Sequence, residues 1–326
     1  LPYFLKPGKN LFNIFVQTKK GEIQKELIVT YEPMQRKEVE PPPLKGMIMI
    51  GQTESNNILQ AYEGSTETSA AKNDLLLSVS YSFGITENSD ISLSGFIKFD
   101  RHQNRSLASE EVLYRQFSSE YDNKKLLGMN FRSALGQTVI SVKDANPSDP
   151  TKAGEFRKDV TSIFLNASGK FNLGRSTVMT IKLQLDSQNK VETDTEDGTL
   201  TQASVASKIR WEDFRFLGSV DSQSTGFKEP TKNYQTTNIN AGVTFSWTPW
   251  VFGFNFQNSN QNYENPDPST NLVVKNKKDS VTVNTKYAYN RSNIFGLDIN
   301  QIKQSSNDAL RTYSENQYSL QYMWIF

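Results

Sequence analysis

The sequence predicts an all-β chain, a transmembrane antiparallel up-and-down β-barrel of about 14 strands, and three observations predict it. Apolar residues recur with a period of two along most of the chain. The connections between these alternating segments are short and long by turns. Aromatic side chains gather beside the short connections.

The alternation begins after residue 45. Leu75, Leu77, Val79, Tyr81, Phe83 and Ile85 share one parity, with Ser78, Ser80, Ser82 and Gly84 between them. Ile91, Leu93, Gly95, Ile97 and Phe99 follow, then Ile163, Leu165, Ala167, Gly169 and Phe171, then Met179, Ile181, Leu183 and Leu185. The same pattern runs through Ala203 to Trp211, Phe214 to Val220, Ile239 to Trp247, Trp250 to Phe256, Val281 to Tyr289, Phe295 to Ile299 and Tyr318 to Phe326. A period of two with one apolar face means a strand whose two sides meet unlike surroundings. Counting from a first strand near Met47 gives about 14 strands. The stretch 109–144 leaves 12 or 16 open, because Leu113, Phe117 and Tyr121 share parity with Arg115 and the segment after Lys124 is long for one strand.

Short turns are expected at 86–90, 122–124, 172–176, 212–213, 248–249 and 290–293, and long polar loops near 62–73, 102–109, 144–155, 188–199, 225–234, 260–277 and 304–311. Short turns on one side and long loops on the other fit a barrel with periplasmic turns and extracellular loops. An even strand number returns the C-terminus to the periplasmic side. Trp211 and Phe214, Trp247 and Trp250, and Tyr289 and Phe295 flank three short turns. Amphipathic rings favour a membrane–water boundary, so these six are the expected girdle. A soluble sandwich or propeller with a rim of aromatics would instead bury more Leu, Ile and Val.

Composition agrees. Only 36% of residues are apolar, and mean hydropathy is −0.58. No run of 18 apolar residues exists, so a transmembrane helix is excluded. A barrel strand needs only about ten residues, every second one facing lipid, so a low mean hydropathy is compatible with a membrane. Cysteine is absent and His102 is the single histidine, which leaves no thiolate chemistry and no His-rich metal site; no cofactor is expected. The 36 basic and 35 acidic residues nearly balance, giving no electrostatic reason to expect nucleic acid.

On the parity opposite the apolar one lie Lys98, Asp100, Lys182, Asp186, Lys208, Arg210, Arg215, Asp221, Lys286 and Asp298. Charges are not left unpaired in a dry interior, so these are the expected lining of a hydrated lumen. A 14-stranded barrel is also wider than the eight-stranded size that side chains can fill. The mixed signs define no clear ion preference. The bland alternative is a scaffold with a blocked lumen. Catalysis is not expected. His102, in Asp100-Arg-His-Gln-Asn-Arg-Ser106, is the only candidate base and reads as a surface loop residue. Glu264-Asn-Pro-Asp-Pro268 offers oxygen ligands to Ca²⁺, but without EF-hand spacing an ordinary turn is the better reading.

The last strand, Tyr318, Leu320, Tyr322, Trp324 and Phe326 alternating with Ser319, Gln321 and Met323, resembles the C-terminal β-signal of outer-membrane proteins. That resemblance implies a bacterial outer-membrane location, contact with membrane lipid and handling by the barrel-assembly machinery. The spacing around His102 does not resemble that of outer-membrane phospholipases. At the other end, Pro7-Gly-Lys-Asn10, the strand-like runs 11–17 and 25–31, and the turn at Lys19-Lys-Gly-Glu22 resemble the last two strands of a bacterial immunoglobulin-like repeat. Residues 1–37 are thus expected to be the tail of a periplasmic immunoglobulin-like domain. Pro41-Pro-Pro43 marks a linker at 38–45, and 46–326 is the barrel. Leu1-Pro-Tyr-Phe-Leu-Lys-Pro-Gly reads as mid-domain, so processing, truncation or a further N-terminal part is expected. Two functions are compatible with these features. One is a porin-like channel for ions or small solutes; the other is an anchoring barrel that tethers the N-terminal arm to other envelope proteins.

Overall fold

A computed structural model describes residues 8–18, 21–31, 44–61, 65–66, 68–103, 107, 111–126, 128–143, 156–191 and 197–326, with side chains from residue 44 onward except 157. The chain divides into two units, Leu1–Pro42 and Pro43–Phe326. In the first, β1 (Gly8–Thr18) and β2 (Gly21–Tyr31) form an antiparallel hairpin. The expected linker lies outside the described residues apart from Leu44 and Lys45, which already belong to the first barrel strand.

The second unit is a closed antiparallel barrel of 14 strands joined in sequence order. They are β3 (Leu44–Ser55), β4 (Ala70–Thr86), β5 (Ser89–His102), β6 (Val112–Leu126), β7 (Met129–Lys143), β8 (Phe156–Asn172) and β9 (Thr177–Lys190). Then come β10 (Gly198–Trp211), β11 (Phe214–Phe227), β12 (Tyr234–Trp247), β13 (Trp250–Tyr263), β14 (Lys275–Ala288), β15 (Asn293–Ser306) and β16 (Tyr313–Ile325). Following the residue pairing once around returns to β3 about 18 residues along, a stagger that tilts 14 strands by roughly 40°. With strands about 4.8 Å apart, that tilt sets a backbone diameter of roughly 28 Å.

One expected turn is not a turn. Asp122-Asn-Lys124 lies inside β6, where Asp122 pairs with Arg132 and Asn123 with Phe131. Arg132 holds Asp122 with two parallel bonds, Nε to Oδ1 at 2.8 Å and Nη2 to Oδ2 at 2.9 Å. This cross-strand fork keeps residues of turn-like composition in the ladder. The strands pair as far as Leu126 and Met129, and Gly128 takes φ +76°. Strands also run further toward the long-loop rim than expected: β13 includes Asn258 to Tyr263, and β14 starts at Lys275. Other turns have local causes. Asn290 Oδ1 accepts from the amides of Ser292 and Asn293, both at 2.8 Å, which closes the tight reversal after β14.

Closure depends on the β16–β3 seam. Its last step is reciprocal: the Gly46 amide donates to the Phe326 carbonyl at 2.8 Å and the Phe326 amide to the Gly46 carbonyl at 3.0 Å. The Phe326 ring lies over Gly46, in the space a Cβ there would fill.

Alternation sorts the side chains into two faces. The outer face carries the apolar series and leaves it exposed, Leu183 at 57% and Leu320 at 64%. From Leu75 to Ile85 on β4, or Ile239 to Trp247 on β12, this belt is about 20–24 Å tall along the barrel axis. Above it on the outside stand Asn258, Asn260, Lys277 and Lys303. The inner face is knitted by hydroxyl and amide contacts, such as Ser82–Ser92 and Ser94–Ser118 at 2.7 Å and Asn240 to Ser219 at 3.0 Å.

Gly136 of β7 faces the lumen under the buried Phe164 ring. A Cβ there would stand 2.5 Å from both the Phe117 carbonyl oxygen and the ring edge. Gly136→Val is expected to destabilise the barrel by about 1–3 kcal/mol. Adding Phe164→Ala recovers only part of this, because the backbone clash remains. Urea unfolding in detergent, followed by tryptophan fluorescence, measures both.

Candidate functional site: the lumen

The pairing puts all ten sequence-predicted lumen residues on the inner face of the barrel: Lys98 and Asp100 on β5, Lys182 and Asp186 on β9, Lys208 and Arg210 on β10, Arg215 and Asp221 on β11, Lys286 on β14 and Asp298 on β15. They do not converge on one point. Near the long-loop rim, Lys98 meets Asp100 at 3.0 Å, and Lys72 bridges Asp100 at 3.2 Å and Asp74 at 3.5 Å. Asp74 also accepts from the Thr53 hydroxyl at 2.9 Å, across the β3–β4 pair. Elsewhere the carboxylates are met by amides: Asp186 by Gln184 at 3.0 Å, Asp221 by Asn238 at 2.7 Å and Asp298 by Gln321 at 3.0 Å.

Lys182 stands level with Asp221 across Ser204, but Lys208, Arg210 and Arg215 lie toward the short turns, away from Asp186 and Asp221. Lys182, Lys208, Arg210 and Arg215 share the wall formed by β9, β10 and β11, and Lys170 of β8 adjoins them. None has an ion pair among the described residues. Arg210 and Arg215 are direct cross-strand partners beside the 212–213 turn. Like charges placed opposite each other cost stability in a sheet, and water or a counter-ion in the lumen relieves that cost.

Sequence reasoning missed several inner-face charges. Lys72, Asp74, Glu120, Asp122, Arg132, Lys170 and Glu315 all lie there. Apart from Lys170, which sits between Gly169 and Phe171 inside an apolar run, each falls beyond the apolar run of its strand or in the ambiguous 109–144 stretch. Arg115, which breaks the alternation there, is on the outer face and donates from Nη2 to the Ser141 hydroxyl at 2.9 Å. The six girdle residues all lie at the short-turn rim. Trp211 packs on Phe214 at 6.3 Å between centroids, Trp250 on Tyr287 at 4.8 Å and Phe295 on Tyr322 at 5.2 Å. Tyr318, Leu320, Tyr322, Trp324 and Phe326 share the outer face at the seam, and Trp324 meets Phe326 at 4.9 Å.

His102 is not a loop residue. It ends β5, pairs with Lys72, and is half-buried facing the lumen. It lines a cavity of about 360 Å³ with Thr53, Lys72, Asp100, Glu315 and Gln317. Ile58, Leu59 and Gln60, from the loop that follows β3, line it as well. Asn57, fully buried, pins that loop: its side chain donates to the carbonyls of Ala61 (2.9 Å) and Ser314 (3.0 Å) and accepts from the Ala61 amide (2.8 Å).

No family model and no curated protein matches the chain. Among solved structures it is similar to the Pseudomonas putida toluene transporter TodX (9% identity, 87% of this chain, 89% of that one, TM-score 0.48). It is similar also to an anion-selective porin from Comamonas acidovorans (7%, 87% and 98%, 0.48). A third is an outer membrane channel from Pseudomonas putida F1 (10%, 91% and 100%, 0.44).

At the long-loop rim the Glu264–Pro268 carboxylate considered for Ca²⁺ is engaged by protein groups. Asp267 Oδ1 accepts from the Ser269 hydroxyl at 2.6 Å and its amide at 2.9 Å, and Oδ2 meets Arg311 at 3.0 Å. Arg311 also holds Asp308 at 3.2 Å and lies 5.3 Å above the Tyr263 ring, so it ties two loops together. The Ser269 hydroxyl first, then its amide and Arg311, hold the Asp267 carboxyl below the usual carboxylate range. With the folded value depressed, this tie is fully present above the ordinary carboxylate value near 4 and fades as pH falls through the lowered one. Limited proteolysis within 264–274 is expected to accelerate on acidification with an acid-stable protease. Arg311→Ala is expected to be cleaved faster at neutral pH as well, while the part of the pH dependence that comes through Ser269 remains.

Proposed function

We propose that this chain is a bacterial outer-membrane β-barrel that passes ions and small hydrophilic solutes through its lumen. The observation that carries this is the opposition of the two faces: an exposed apolar belt of membrane height outside, and charged side chains inside, several of them without an ion pair among the described residues. A soluble protein does not leave a continuous belt of Leu, Ile, Phe and Trp in water. The aromatic rim then marks the periplasmic boundary, both barrel termini lie on that side, and the loops face outward. In this reading the outward face of the last strand, closing on Phe326, is what the barrel-assembly machinery reads.

The cationic wall refines the transport reading. Fixed charges of one sign, unpaired and facing water, concentrate the counter-ion. Lys182, Lys208, Arg210 and Arg215 therefore favour anions. The β1–β2 hairpin supports a second, compatible role, in which a periplasmic immunoglobulin-like arm tethers the barrel to envelope proteins. Migration as a lone monomer after extraction in mild detergent would count against that second role.

Purified protein in planar bilayers is expected to form steady pores, and no conductance at any protein density overturns the channel reading. Under a tenfold KCl gradient the reversal potential is expected to have the sign of chloride preference. The variant carrying Lys208→Gln, Arg210→Gln and Arg215→Gln moves it toward cations.

A further inference from the structure

We propose that the cavity between the loop 56–61 and the start of β16 is a binding subsite for small organic ammonium ions, with Glu315 as the counter-ion. The proposal rests on the channel reading for its role, as a stop at the outer mouth, though not for the binding itself.

Glu315 is only 2% exposed. Its Oε1 accepts from the Ser55 hydroxyl at 2.6 Å and from the Gln317 amide at 2.8 Å, which fixes the plane of the carboxylate. Its Oε2 is equally buried and has no hydrogen-bond partner among the described residues. A carboxylate so placed lacks a donor, and leaving it unmatched is costly. The surrounding charges do not supply one. Glu315, Asp74 and Asp100 are three carboxylates against the two ammonium groups of Lys72 and Lys98, and both lysines are already bound to Asp74 and Asp100. One positive charge balances the group.

The rest of the cavity selects the kind of cation. The Nδ1 atom of His102 is also buried without a partner and can accept from a second N–H when the imidazole is neutral. Thr53 and Ser55 add hydroxyls. Ile58 and Leu59 form an apolar wall suited to a short hydrocarbon chain; Leu59 is 47% exposed. At about 360 Å³ the cavity is far larger than a bare ion needs and within the range of small-molecule sites. Of the two carboxylates in the lining, Asp100 is already held by Lys72 and Lys98, and Glu315 with one imidazole forms a poor ligand set for a divalent metal. The loop supplying the apolar wall is fixed by Asn57 and by Asn56, whose side chain accepts from the Asn316 amide at 2.7 Å, so the cavity is built before a ligand arrives.

The test is calorimetric titration of the full chain in detergent micelles with n-butylammonium chloride, using n-butanol and sodium butyrate as controls. Saturable binding of butylammonium alone is expected. Glu315→Gln weakens it at least about tenfold, the loss of one charge-assisted contact. Leu59→Ser, in an exposed loop that leaves the ladder untouched, weakens butylammonium several-fold while ethylammonium changes little, because it removes contacts only the longer chain reaches. Heat-modifiable electrophoretic mobility verifies that both variants are folded. Equal binding of butanol, or unchanged affinity in Glu315→Gln or in Leu59→Ser, overturns the proposal. The titration needs no current. A chain that binds butylammonium yet never conducts retains the site and loses the channel reading, and a conducting chain that ignores butylammonium does the reverse.

Discussion

The constraint on which the rest of this structure depends is that the sheet has no edge. In hydrocarbon an unpaired amide or carbonyl has no water to turn to, so every strand must have two neighbours. The chain meets this by pairing its last strand with its first barrel strand down to Gly46 and Phe326. The terminal residue is therefore part of the ladder, and its ring has room because position 46 has no side chain. Strand number, stagger and tilt are consequences of that closure, and together they set the width of the lumen.

Closure also turns parity into function. Once the register is set, a side chain has no choice of face, and a shift by one residue would exchange lining for belt throughout a strand. In the proposed membrane setting the belt is uniform because lipid is uniform. The lining is not: Asp74 and Asp100 are matched by lysines and Asp186 and Asp221 by amides, while Lys208, Arg210 and Arg215 near the short turns have no ion pair among the described residues.

Most of this order was legible in the sequence because it follows from one rule applied strand by strand. Where Leu, Phe or Val marked one parity, the opposite parity named the lumen residues, and Lys182, Arg210 and Asp298 needed no further information. The rule failed where its marker was missing. The first residues of β16, Tyr313 to Gln317, carry no apolar alternation, which hid Glu315. Asp122-Asn-Lys124 has turn composition, and only its partner Arg132 on the next strand shows that it stays extended. Asn258 and Asn260 are poor strand formers held by ladder neighbours. His102 looked like a loop residue because polar residues follow it. The loop after β3 was beyond reach, since the Asn57 contact with Ser314 joins positions 257 residues apart.

The overshoot of the strands past the belt has an electrical consequence. Glu315 and His102 lie on the loop side of the last lipid-facing residues of their strands, above the level of Tyr318 and Phe99. In a membrane the applied potential falls mainly across the hydrocarbon slab, where a charge crossing fully exchanges about 2.3 kcal/mol per 100 mV. A cation reaching the Glu315 cavity has traversed little of that drop. Its residence there is set by contacts and by salt, and hardly by voltage, whereas Lys182 and Lys208, level with the apolar belt, would feel the field directly.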